Sequence, residues 1–415
     1  METPDVIVIG AGLAGLRAAA HLADAGRTVV VLEAAEVVGG RERTDEVDGF
    51  LVDRGFHVLN PAYPAMHRGV DVPALRLQRF PVGVRVRRER TVVELAHPLR
   101  LPALIPATLR SGLITVADAV ALARWIGPAL IGPRTLIDGP DQSLRAGWDR
   151  VGLFGPLRTE VLAPFLAGVI ADDTGATSDT FVRLLVRMFV LGAPGLPERG
   201  IGALPAQLAD TATAAGAAIR LQHRVAKLAR TGGRVEVDIE GADTMRARTV
   251  VVAVGPGAVS SLVDVPRPVT RGLQTWWFAT DAAPSASAML SVDGRRRGPI
   301  VNTSVLSNAA PSYAPAGRHL VHATCLLPAP GSGATEAEVR RQVGEIWGAD
   351  ASAWEILRRD DVHDALPAQG SPLRTTSPAR VAAGVYLAGD HRDTASIQGA
   401  LVSGERVARA VLRAG

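Results

Sequence analysis

The sequence contains a single cysteine, Cys325, so no disulfide can form within the chain. It lies in the apolar run HLVHATCLL, where a small hydrophobic thiol is expected in the core. Lysine is as scarce: Lys227 stands alone, and the other basic residues are arginine. With a net charge of only +4, this arginine bias does not make a nucleic-acid-binding surface. The densest basic runs, VRVRRER (84–90) and GRRRG (294–298), read as solvated hairpin turns. A clean membrane span is also missing. The most apolar stretch, GLITVADAVALARWIGPALIG (112–132), is interrupted by Asp118, Arg124 and Pro128. Internal repeats and low-complexity segments are absent. METPDVIVIG has no basic stretch ahead of its first strand, so the expected setting is reducing and cytoplasmic.

What is present describes a globular chain. Apolar residues make up 47% and charged residues 21%. At 415 residues the chain is too long for one ordinary core, so two domains are expected. VIVIG (6–10) is a continuous β-branched run, as in a strand buried on both faces. Gly10, Gly12 and Gly15 then form G-x-G-x-x-G. Their roles differ: a tight turn, backbone approach to a pyrophosphate, and close packing of helix on strand. A helix is expected from Leu13 to Ala25, ended by Gly26, then a strand over 28–34 that carries Glu33. Strand, glycines, helix, strand and acid together predict a dinucleotide site, with Leu13 and Ala14 at the helix start and Glu33 and Ala34 near a ribose. An acid at this offset disfavours a 2′-phosphate.

The following residues, AAEVVGGRERT (34–44), add a second glycine pair, Gly39-Gly40, and a forked donor, Arg41, suited to phosphate. Here the sequence resembles the flavin amine oxidase, phytoene desaturase and protoporphyrinogen oxidase superfamily. Gly10, Gly12, Gly15, Glu33, Gly39, Gly40, Arg41 and Thr44 match its G-x-G-x-x-G…E…G-G-R-x-x-[ST] pattern. The resemblance continues through LVDRGFHVL (51–59), residues 200–228, RTVVVAVGP (248–256) and Gly389-Asp390 with SIQGA (396–400). Gln398 departs from the pattern, where Glu is commoner.

The resemblance implies an α/β fold with a Rossmann-like FAD-binding domain assembled from both chain ends. The expected division is 1–60, 196–265 and 376–415 for that domain. Residues 61–195 and 266–375 are left to a substrate domain of mixed sheet plus helices. It also implies non-covalent FAD; Cys325 lies outside the motif that attaches flavin covalently. Gly55, Phe56 and His57 are expected along the flavin, Val225 at the adenine, and Gly255 where the nucleotide sheet closes. Gly389, Asp390, Ser396, Ile397 and Ala400 are expected at the flavin end, where the last helix aims its N-terminus at the ring.

In the inserts, Thr115-x-x-Asp118 reads as a capping box. Segments 115–131 and 178–191 read as apolar helices, and 336–349 as a helix with Ala, Val and Ile on one face. Residues 275–280, 299–306 and 318–327 read as strands of a sheet roofing the flavin. Helices within 99–132 are expected to pack in the core in preference to resting on a membrane surface, or to line a substrate tunnel. Of the adjacent Trp276 and Trp277, one is expected in the tunnel and the other in the core.

The chemistry is narrowed by departures from amine oxidases of this superfamily. Lys227 is placed at the adenine end, so the flavin-side lysine of those enzymes is missing. Ser396 is too small to stack on an amine. Both favour hydride removal from an apolar small molecule, as in a desaturase, dehydrogenase or isomerase. An amine or amino-acid oxidase releasing hydrogen peroxide is the alternative. A non-catalytic carrier, as Rab GDP-dissociation inhibitors are, is a third. His57 and His391 are the candidate proton acceptors; Arg54 and Arg392 are candidates for a substrate carboxylate. No metal site is expected.

Overall fold

The computed structural model describes residues 3–96 and 105–414. The part of the tunnel-helix expectation that falls on 99–104 lies outside the described residues.

A six-stranded sheet organises the nucleotide end. Its order is Arg380–Ala382, Val385–Leu387, Thr249–Val252, Val6–Ile9, Val29–Leu32, Ala218–Arg220. All pairs are parallel except the first. Val6 faces Thr249 on one side and Val29 on the other. Every residue of Val6–Ile9 and Val29–Leu32 is buried, which is why these strands read as unbroken apolar runs. At roughly 1.5–3 kcal/mol per buried Val, Leu or Ile, such strands are the anchor of the sheet. Strands from both chain ends lie in it.

The two terminal helices join across one face. Helix Leu13–Asp24 packs on helix Ile397–Ala414 so closely that a Cβ at Gly404 would overlap the Ala14 carbonyl oxygen. The contact is tied by Arg17, whose guanidinium lies 3.8 Å from Glu405, and Glu405 also meets Arg68 at 3.6 Å.

A seven-stranded, mainly antiparallel sheet forms the second layer. It runs Glu355–Pro367, Thr270–Thr280, His319–Leu327, Ile300–Val305, Leu290–Asp293, Gly83–Arg87, Val92–Ala96. Helix Glu336–Trp347 covers one side through Val339, Val343 and Ile346, although Ala337 faces solvent. Helices Val116–Ile131, Leu144–Val151, Ala163–Ile170 and Asp179–Leu191 form an apolar cluster around Trp125, Trp148 and Phe181. The capping box is present: Thr115 Oγ1 accepts from Asp118 N, and Asp118 Oδ2 accepts from Thr115 N.

Some expectations need correction. Trp276 and Trp277 do face opposite sides, but both are core. Trp276 stacks near Phe278 against the Glu336–Trp347 helix, while Trp277 packs with Phe50 and Tyr313 and donates to Asp360 at 3.0 Å. Both faces of this central strand are covered by other elements, so neither indole reaches a cavity. The basic runs are not simply solvated turns either. Arg85 is buried over the Trp347 ring at 4.6 Å, and Arg295 is held by Asp293 at 2.7 Å. Cys325 is buried as expected, and burial pushes its thiol up to about 12.

Candidate functional site

Two cavities meet end to end, and Arg41, Glu42, Asp390 and Ser396 line both. The first, about 320 Å³, is a groove along the C-terminal edge of the parallel sheet. It is the position where doubly wound sheets open a crevice. Gly10, Gly12, Leu13 and Ala14 form one wall, Glu33 and Ala34 follow, and Val225 and Gly255 lie toward one end. Gly39, Gly40, Gly389 and Ala400 complete it.

Backbone chemistry shapes this groove. Gly10 has φ 102°, and an added Cβ would lie 2.7 Å from the Ala253 carbonyl oxygen. At Gly15 a Cβ would overlap the Gly10 carbonyl, so this residue sets helix-to-strand packing and does not itself line the groove. Gly12 and Gly39 pair through a bridge, with Gly39 N donating to Ala11 O at 2.9 Å. A Cβ at Gly40 would reach the Gly12 Cα at 3.5 Å. Helix Leu13–Asp24 starts at Gly12 with no side-chain cap and no acid in its first turn. Its first N–H groups therefore lack intrahelical acceptors and face a groove floored by bare backbone, which fits an extended anion such as a pyrophosphate. Glu33 is already anchored: its carboxylate accepts from Ala11 N at 2.7 Å and Ala35 N at 2.9 Å.

At the junction, Arg41 donates to Asp390 at 2.7 Å and to the Ala365 carbonyl at 2.8 Å. Its fork is thus not a free phosphate donor, as the sequence suggested; it clamps residues separated by most of the chain. Burial opposes the guanidinium charge, but Asp390 and Glu42 outweigh it and hold Arg41 above its ordinary value. Glu42 makes no side-chain ion pair among the described residues. Burial raises its carboxyl above the usual range, against the pull of Arg41. The turn into the last helix is tight: Gly389 has φ 146°, and its N–H donates to Ser403 at 3.0 Å. Ser396 caps that helix by accepting from Gly399 N at 3.2 Å. Gln398 accepts from Ala65 N at 2.8 Å, so the departure from the family pattern ties the last helix to the insert.

The second cavity, about 270 Å³, is mostly apolar. Gly55, Phe56, His57 and Ile397 line it with Phe80, Phe165, Leu185, Phe189 and Leu366. Phe56 is backed by His322, stacked at 3.8 Å, whose burial pushes its imidazole down to about 3. His57 lies on the wall with Nε2 3.1 Å from the Arg54 carbonyl. Because a carbonyl only accepts, Nε2 is the donor in this contact, which in the neutral ring leaves Nδ1 as the acceptor.

The other candidates divide. His391 lines neither cavity; a Cβ at Gly389 would overlap its ring, and both ring nitrogens are buried without partners. Burial pushes it down to about 4, so it is neutral but out of reach of the cavity. Arg392 donates to the Pro378 carbonyl and lines neither cavity, whereas Arg54 lines the second cavity and is held there by Asp45 at 2.8 Å. Lys227 is exposed on strand Val225–Thr231, away from both cavities. Among the described residues no cluster of His, Cys, Asp or Glu could hold a metal ion.

Several lining residues escaped sequence reading. Glu42 was legible, being inside the G-G-R-x-x-T stretch. Asn60, Tyr63 and Asn302 in the second cavity, and His223, Arg224 and Ser261 in the groove, follow no local spacing.

The sequence profile described as flavin containing amine oxidoreductase matches residues 13–412. Hydroxysqualene dehydroxylase of Rhodopseudomonas palustris is 29% identical, with 99% of each chain covered. Phytoene dehydrogenase of Streptomyces griseus is 29% identical over 60% of this chain and 53% of its own length. Among solved structures, an oxidoreductase from Methanosarcina mazei superposes with a TM-score of 0.76 at 21% identity, covering 97% of this chain and 99% of that one. Cyclohexylamine oxidase from Brevibacterium oxydans gives 0.67 at 16% identity, covering 100% and 99%. These two share the fold. The glycine-lined groove, the joined chain ends and the match over nearly the whole length make this chain a member of the flavin containing amine oxidoreductase family, an FAD-dependent oxidoreductase.

Proposed function

We propose that FAD binds non-covalently along the groove and that the substrate is a largely apolar small molecule in the adjoining cavity. The observation that carries this is the continuity of an aromatic and aliphatic cavity with the glycine groove through four shared residues. When bound, the flavin supplies the hydride acceptor. The chain's own residues hold and enclose. Gly12, Gly39 and Gly40 leave room for the pyrophosphate, and Leu13 and Ala14 present N–H groups to it. Glu33 meets the ribose, Val225 and Gly255 the adenine end. Arg41 and Asp390 fix the junction, and Ser396, Ile397 and Ala400 bring the last helix to the ring. Phe56, Phe165 and Phe189 exclude water, and His57 Nδ1 accepts a substrate proton. With this reading goes a division into an FAD-binding body (1–60, 196–265, 376–415) and a substrate body (61–195, 266–375).

Relatives act on molecules of this kind by name, a hydroxysqualene and a phytoene. Among the described residues no helix is long and apolar enough to cross a membrane. Helix Val116–Ile131 does present Val116 and Ile131, 84% and 90% exposed, which supports peripheral contact with a membrane on its cytoplasmic side.

One observation favours an amine oxidase instead: the Glu42 carboxyl stands without an ion-pair partner at the junction, where a substrate ammonium would be attracted. An anaerobic screen separates the readings. Purified protein is mixed with isoprenoid hydrocarbons and alcohols, porphyrinogens and amines, and loss of flavin colour is recorded. Bleaching by isoprenoids is expected; bleaching by amines alone overturns the apolar reading.

A further inference from the structure

Asn302 is the anomaly in the second cavity. It is 3% exposed, lines the mostly apolar wall, and its amide oxygen Oδ1 is buried without a hydrogen-bond partner among the described residues. Burying an unpaired amide is unfavourable, and native cores seldom tolerate it without a reason. The surroundings accommodate this side chain specifically. The register of strand Ile300–Val305 against His319–Leu327 shifts between Ile300 and Asn302, an irregularity of the kind that re-aims a side chain. Across the cavity wall, a Cβ at Gly168 would overlap Asn302 Nδ2, so the helix Ala163–Ile170 carries glycine where the amide stands. Asn60, whose Nδ2 is likewise buried without a partner, and Tyr63 add polar groups to the same lining.

We propose that Asn302 is a specificity residue that pairs with a single uncharged oxygen function, a hydroxyl or carbonyl, on the otherwise apolar substrate. This rests on the reading of the cavity as the site of an apolar substrate. An amide can donate to either oxygen type and accept from a hydroxyl, whereas it gives an ammonium no charge. A pure hydrocarbon leaves the amide unpaired and is disfavoured relative to its oxygenated counterpart.

The test uses the FAD-loaded protein without turnover. Geranylgeraniol, the hydrocarbon lacking its hydroxyl, and geranylgeranylamine are titrated anaerobically, and binding is read from the perturbed flavin spectrum. Wild type should bind the alcohol about fivefold more tightly than the hydrocarbon. Asn302→Leu should erase that preference while keeping hydrocarbon affinity, and it should melt no lower than wild type, since it removes an unpaired polar group. Gly168→Ala should weaken the preference by displacing the amide. Equal binding of alcohol and hydrocarbon to wild type, or a preference that survives Asn302→Leu, overturns the role of Asn302 and leaves the apolar reading standing. Binding of the amine alone overturns both.

Discussion

Gly15 shows how much one missing methyl can decide. An added Cβ would overlap the Gly10 carbonyl oxygen, so Gly15→Ala must push the first helix off the sheet. The expected result is a loss of a few kcal/mol in urea unfolding, as for other overpacked contacts, and a protein purified with little flavin. The junction pair gives a sharper contrast. Arg41→Met leaves Asp390, 5% exposed, without its cation and should cost about 3 kcal/mol. Adding Asp390→Leu should recover part of that stability but none of the flavin content, measured as the ratio of visible to ultraviolet absorbance. His322 supplies a pH signature. Burial lowers its pKa from 6.5 to about 3, so its contribution to stability is intact above pH 6.5 and is lost as pH falls toward 3. Relative to His322→Phe, wild type should lose about 3 kcal/mol between pH 7.5 and pH 4 in denaturant titrations. The glycine and acid positions were legible because backbone clearance and anion binding impose fixed residue types at fixed spacing. Asn302, Tyr63, Phe80, Phe165 and Phe189 were not, since only the packed sheet and helices bring them together with Phe56.

Elements with local signatures were read well from sequence. The box Thr115-x-x-Asp118 marks the start of helix Val116–Ile131 because both partners lie within one turn. Thr115→Ala should cost about 1 kcal/mol in thermal or denaturant unfolding, with flavin content unchanged. Apolar runs likewise placed Val6–Ile9 and Val29–Leu32 and three strands of the seven-stranded sheet, whereas Gly83–Arg87, Val92–Ala96, Leu290–Asp293 and Glu355–Pro367 were not read as strands. What periodicity did not reveal was which face each strand turns to a cavity. Trp276 and Trp277 alternate as expected, yet helix and sheet cover both sides. The arginines of 84–90 looked solvated because charge predicts exposure; Arg85 is instead buried over Trp347, where a planar guanidinium can stack.

At the scale of the whole molecule, the nucleotide sheet takes strands from residues 6–9 and 385–387, and the first and last helices meet at Ala14 and Gly404. This long-range closure was legible only as two glycine-rich turns of similar type; the helix contact and the Arg41–Asp390 clamp that secure it needed the folded chain. On the proposed reading, one extended flavin dinucleotide is held by both ends, and a crystal structure of the FAD complex is the decisive test. One non-covalent FAD per chain is expected, its pyrophosphate at the N-terminus of helix Leu13–Asp24 and its ring beside Ser396 and Ile397. A flavin held by one chain end alone, or bound covalently, would contradict it.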